Sequence, residues 1–113
     1  MATVFPDAYY FSTPTILSDT AETTVYTCNN EWAFLTALWA ADDGGSARTL
    51  TAVARIGGTD YTLFVAKAIS ANAELSIEFK PLVLKSGESI KCTASAGGVH
   101  VIVSGTEGAG RNT

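Results

Sequence analysis

The sequence predicts an all-β protein: a single antiparallel β-sandwich, jelly-roll-like, of about eight short strands. Three observations predict it. Short segments alternate apolar and polar residues with a period of two, the mark of a strand with one buried face. Turn signals recur at intervals of roughly 8–12 residues, as in sandwiches. Two Gly-Gly pairs, Gly57-Gly58 and Gly97-Gly98, stand between apolar segments, where two-residue hairpin loops need positive φ. A chain of 113 residues is one domain, long enough to bury one core.

The elements follow in order. Residues 1–14 read as an irregular, aromatic N-terminal arm, because Pro6 and Pro14 bracket Ala8-Tyr9-Tyr10-Phe11. So dense an aromatic cluster either packs back on its own domain or docks on a neighbour. Residues 15–107 read as the sandwich. Ile16-Leu17 opens it, and Thr23–Cys28 is a β-branched and aromatic strand. Asn29-Asn30 turns into Glu31–Ala41, a long apolar run. Its Ala and Leu content also allows a helix, but the flanking β pattern favours a strand. After the acidic tip Asp42-Asp43-Gly44-Gly45, Arg48–Ile56 alternates, with Leu50, Ala52, Ala54 and Ile56 on one face. Thr59–Ala66 returns from the first Gly-Gly turn. Glu74–Phe79 alternates again, and Pro81 marks an edge or a kink before Leu82–Leu84. Ser89–Ser95 points Ile90, Cys92 and Ala94 inward, and Val99–Val103 closes the fold. Residues 108–113 read as a flexible tail.

Composition excludes several function classes. Seven Lys and Arg in a chain of net charge −4 argue against a nucleic-acid partner, which needs a clustered basic patch. No apolar run reaches the roughly 18 residues of a membrane helix, so no membrane contact is expected. The opening MATVFPDAYY has neither the basic start nor the apolar stretch of a signal peptide. Charged residues are only 16% against roughly 25% in ordinary domains. That surface is sparsely charged for a free monomer and points to contact with another protein.

No catalytic, cofactor-binding or metal site is predicted. His100 is the sole histidine and sits between Val99 and Val101, without a nucleophile motif beside it. Zinc wants three or four close ligands, and the chain has one His and two Cys with no C-x-x-C. Cys28 and Cys92 are expected to be buried, reduced thiols, with a bridge as the alternative. Asp42-Asp43-Gly44-Gly45 lacks the later acidic ligands of a calcium loop and reads as an acidic hairpin tip.

The informative oddity is a strand apolar on both faces. In Glu31–Ala41, Trp32, Phe34 and Leu38 share one face, and Leu35, Ala37 and Trp39 the other. A small sandwich has one core, so the second face must be covered by something else. Trp32 is expected inward, with Leu35 and Trp39 outward. Tyr9, Tyr10, Phe11, Leu35 and Trp39 are therefore the expected interface residues.

Two strings carry a resemblance. The first is Thr23-Thr24-Val25-Tyr26-Thr27 followed by a hydrophobic strand and Arg48-Thr49-Leu50-Thr51-Ala52-Val53. The second is Leu82–Ala96 with its Ser86-Gly87-Glu88-Ser89-Ile90 turn and Thr93-Ala94-Ser95, ahead of Val99-His100-Val101. Over residues 23–107 the chain resembles small β-sandwich virion structural proteins of tailed bacteriophages, of the capsid decoration or neck-tail accessory type. It departs from them at Cys28-Asn29-Asn30-Glu31, where the pattern has a Pro-Ala-Gly turn. The resemblance implies a non-enzymatic virion component, most directly a capsid decoration (cement) protein. Its partners would be a major capsid protein or neck and tail proteins together with its own copies, as a homo-oligomer, in a virion assembled in the host cytoplasm. The alternative class is a carbohydrate- or receptor-binding module using Trp32, Trp39, Tyr9 and Tyr10. A regular strand would set the two tryptophans on opposite faces, which counts against it.

Overall fold

A computed structural model describes residues 8–108. The described residues form β1 (Ala8–Leu17), β2 (Thr23–Thr27), β3 (Trp32–Asp42), β4 (Arg48–Ile56), β5 (Thr59–Ile69), β6 (Glu74–Lys85), β7 (Ser89–Ala94) and β8 (Val99–Gly108). One four-stranded sheet, here sheet A, runs β1-β8-β3-β6; the other, sheet B, runs β2-β7-β4-β5. Neighbours are antiparallel throughout. Paired strands β1·β8 and β3·β6 lie in sheet A, and β2·β7 and β4·β5 in sheet B. The chain is thus one long hairpin with its tip between β4 and β5, rolled so that successive pairs alternate between sheets. That is a jelly roll.

Local chemistry explains the tip. Gly57 and Gly58 have φ of 61° and 83°, the doubly positive backbone of a two-residue hairpin loop. Alternation explains the core. Leu50, Ala52 and Ala54 of β4, Ile90, Cys92 and Ala94 of β7, and Val99, Val101 and Val103 of β8 are all buried between the sheets, as their period-two spacing predicts.

Four expectations change. Residues 8–14 are not an irregular arm: they begin β1, which pairs with β8 in unbroken register from Ala8↔Gly108 to Leu17↔Val99. Residues 1–7 lie outside the described residues. Phe11, Thr13, Thr15 and Leu17 face the core side, and Tyr10, Ser12, Pro14 and Ile16 face out. Pro14 is tolerated because β1 is an edge strand and proline there removes no ladder bond. At the other terminus β8 runs on to Gly108, with Glu107 and Gly108 buried, so Gly108 is not part of a flexible tail; residues 109–113 lie outside the described residues. The segments on either side of Pro81 are one strand, β6, with a register shift where Leu35↔Leu82 gives way to Ala37↔Glu78; β6 too is an edge.

The fourth change concerns β3, which is a strand throughout. Against β8 its register steps from Leu35↔Gly105 to Ala37↔Ser104, leaving Thr36 as the extra residue of a β-bulge. A bulge reverses the facing of every residue beyond it. Ala33, Leu35, Leu38, Ala40 and Asp42 therefore point inward and are buried, while Trp32, Phe34, Ala37, Trp39 and Ala41 point outward. The expectation that Trp32 faces the core is wrong, and so is the assignment of Leu35 to an interface.

Candidate assembly interface

The outward residues of β3 give sheet A a largely apolar outer face. Register places Pro14, Ile102, Trp39 and Ser76 in one cross-strand row, and Ile16, His100, Ala41 and Glu74 in the next. Towards the other end, Tyr10, Thr106, Phe34 and Val83 form a row, with Trp32 beyond it. The Trp32 and Phe34 rings meet at 5.0 Å between centroids. Tyr10 is 90% exposed and Ile16 64%. A shallow groove lined by Pro14, Ile16, Trp39, His100 and Ile102 runs between β1 and β3. Glu74, Glu78, Lys80 and Lys85 lie on the edge strand β6, and at one end of the face His100 Nε2 sits 3.7 Å from Asp43 Oδ2. Exposed apolar rows of this kind behave as association surfaces.

Of the five expected interface residues, the structure brings Tyr10 and Trp39 onto this face. Leu35 is fully buried. Phe11 packs inside the domain, its ring stacked on Tyr26 at 4.8 Å and 7°. Tyr9 is half-exposed, and its hydroxyl donates to Glu107 Oε1 at 2.9 Å. Sequence reasoning missed Ile102, Ile16 and Phe34 as members of the face. Ile16 and Ile102 carried a signal: each alternates with core residues on its own strand.

A polar clasp closes one end of the sandwich. Glu107, 7% exposed, accepts hydrogen bonds from the Tyr9 and Tyr26 hydroxyls and from Asn30 Nδ2. Asn30 Nδ2 also donates to the Tyr9 oxygen at 2.7 Å. Burial works to push the Glu107 carboxyl up, but the bonds from Tyr26, Asn30 and Tyr9 outweigh it and hold it below its ordinary 4.5. Burial, then the bond to Glu107, raises Tyr26 well above 10.0. The clasp ties β1, β2, the β2–β3 turn and β8 together. The acidic tip after β3 is a tight turn: Asp42 is buried and its Oδ1 accepts from the Gly44 amide at 2.8 Å. Among the described residues no group of three His, Cys, Asp or Glu is gathered as a metal site.

Cys28 and Cys92 are both buried and unbridged. Burial raises the Cys28 thiol and pushes Cys92 up to about 12. Since the thiolate is the reactive form, neither should react with an aromatic disulfide reagent in the folded protein at pH 8, and both should react in denaturant. Stoichiometric labelling of the native protein would contradict this placement.

No protein-family model matches the chain, and no curated protein sequence matches it. Solved structures share its fold. A chain from Bacillus endospore appendages, described as a novel family of disulfide-linked pili, aligns with a TM-score of 0.61 at 10% identity, over 96% of this chain and 95% of that one. A chain of the virus-like particle of extra small virus from the giant freshwater prawn Macrobrachium rosenbergii aligns with a TM-score of 0.54 at 12% identity, over 94% and 80%. A chain of the acid-stable capsid of Helicobacter pylori bacteriophage KHP30 aligns with a TM-score of 0.50 at 5% identity, over 90% and 87%. At these identities the likeness is one of architecture.

Proposed function

We propose that this protein is a non-enzymatic structural subunit of a bacteriophage virion, a capsid decoration (cement) protein, with a neck or tail accessory protein as the close variant. The observation that carries the reading is the outer face of sheet A, where Trp39, Ile102 and Pro14 in one row and Ile16 in the next form an apolar patch beside an intact core. Such a face gains by burial against a neighbour, and modest contacts sum over a symmetric shell. The jelly-roll architecture, shared with particle-forming chains from two viruses, supports the same reading.

The test compares two variants of adjacent strand chemistry. Trp39→Ser should leave the melting temperature near wild type and weaken binding to capsids lacking the protein roughly thirty-fold, the scale of an aromatic interface anchor. Leu35→Ala should do the reverse, costing about 3 kcal/mol of stability as a core truncation. Undiminished capsid binding by Trp39→Ser would sink the proposed role for this face.

One observation favours a second reading, a carbohydrate-binding module. The bulge at Thr36 puts Trp32 and Trp39 on the same outer face, which removes the main sequence argument against a stacking platform. They lie about 20 Å apart at ordinary strand rise, a span for an extended oligosaccharide rather than one ring. Glycan-array binding by the isolated protein, abolished by either Trp→Ala change, would favour that reading.

A further inference from the structure

We propose that two copies of this chain pair through β1, antiparallel about a two-fold axis at Tyr10, so that their A sheets join into one eight-stranded sheet. The inference rests on the reading of the chain as an assembling subunit, and adds which edge carries self-association.

A two-sheet sandwich has four edge strands, and exposed edges invite pairing unless they are guarded. Three edges are guarded here. β2 has five residues and a register shift between Thr24 and Tyr26. β5 carries two register shifts, with Ala66 at φ 48° in one of them, and bears Asp60 and Lys67. β6 has the shift around Pro81 and bears Glu74, Glu78, Lys80 and Lys85. The remaining edge, β1, is ten residues in unbroken register and contains no Asp, Glu, Lys or Arg.

Its free groups are identifiable. The Leu17 carbonyl accepts from the Gly98 amide beside β8. In an antiparallel strand a residue's N–H and C=O point to the same side and alternate along the chain. The odd-numbered residues of β1 therefore bond β8, and Ala8, Tyr10, Ser12, Pro14 and Ile16 turn their backbone groups outward. Pro14 has no N–H to offer and ends the useful ladder, leaving Ala8–Ser12 as the docking stretch. A two-fold axis at Tyr10 sets Tyr10 against its own mate and Ala8 against Ser12, each a hydrogen-bonded pair, with Pro14 just outside.

Charge points to a second copy as the occupant. An antiparallel pairing about a two-fold axis brings a charge on or beside that axis close to its own copy, so a strand that pairs with itself is favoured by an uncharged stretch there. The chain carries net charge −4, yet β1 is neutral along its length. The pairing also unites two outer faces, carrying Tyr10, exposed at 90%, onto its symmetry mate. Cross-strand aromatic pairs of this kind are favourable.

Sedimentation of the full-length protein across concentration tests the pairing. Wild type should show a monomer–dimer equilibrium. Tyr10→Lys places like charges face to face, and Ser12→Pro removes an outward N–H without touching the ladder to β8. Each should raise the dimer dissociation constant at least about tenfold with unchanged circular dichroism. Should Ser12→Pro fail to fold, Tyr10→Lys decides with a cross-link. Tyr10→Cys should give a covalent dimer with a short thiol-reactive cross-linker, because the Cβ atoms of a directly opposed hydrogen-bonded pair lie about 5.5 Å apart, just beyond the reach of an unstrained disulfide. Thr62→Cys, exposed on sheet B, should not. A dimer indifferent to both Tyr10→Lys and Ser12→Pro overturns the proposal. A wild-type monomer that still binds capsids overturns the pairing and leaves the structural role standing. A β1-paired dimer that binds no capsid supports the pairing and counts against the capsid role.

Discussion

Glu107→Ala should lower the melting temperature by roughly 12–20 °C, the equivalent of about 3 kcal/mol in a domain of this size. The side chain is nearly buried and accepts from Tyr9, Tyr26 and Asn30. Removing it leaves those donors facing one another, and bonds to a charged acceptor are worth about 1.5–3 kcal/mol each, less what water recovers at the half-exposed Tyr9. Glu107→Gln keeps the shape but turns an amide donor towards other donors, so it should fall between. The clasp also predicts pH dependence at both ends. The Glu107 carboxyl is held below its ordinary 4.5, so its stabilisation is present above that value and is lost as pH falls through the folded-state value. Tyr26 is raised above 10.0, so its stabilisation is intact below pH 10 and is lost as pH climbs beyond it. Melting curves from pH 3 to 11 check both limbs. A Glu107→Ala variant with wild-type stability at pH 7 would show that the clasp contributes nothing.

The second large effect is expected at Gly105. This residue lies opposite Leu35 where β3 bulges. A Cβ built there overlaps the Phe34 carbonyl oxygen and lies 2.9 Å from Leu35 Cα. Both obstacles are near-rigid backbone, so the strands must separate. Gly105→Ala should cost about 2–3 kcal/mol, the upper range for overpacking. It should also perturb the outer face, since the bulge decides that Trp32 and Trp39 point the same way. Tryptophan fluorescence and a thermal melt report both. A Gly105→Ala protein that melts and fluoresces like wild type would mean that β3 does not approach β8 so closely.

Much of this fold was legible from short-range pattern. β4 and β7 alternate cleanly, and Leu50, Ala52, Ala54, Ile90, Cys92 and Ala94 were assigned one by one to faces that turn out buried, because strand side chains change face at every step. The Gly57-Gly58 hairpin and the edge position of β6 followed from the backbone chemistry of glycine and proline. The outer apolar face was announced by β3 being apolar at nearly every position, and Trp39 points outward on it.

What the sequence by itself determined, then, is what depends on neighbours a few residues apart: strand content, turn positions, most of the core, and the presence of one apolar face too many. Which residues form that face was decided by tertiary structure. The bulge at Thr36 lies beside Gly105, some seventy positions away, where the two backbones leave no room for a Cβ, and nothing in the segment around Thr36 announces it. Tyr9 and Phe11 looked like an arm because their partners, Glu107 and Tyr26, come from strands distant in sequence. Nothing in the sequence marked Glu107 as a buried side chain, since a carboxylate is buried only when donors converge on it. Those donors come from β1, β2 and the turn after it, and only the rolled chain brings the three together.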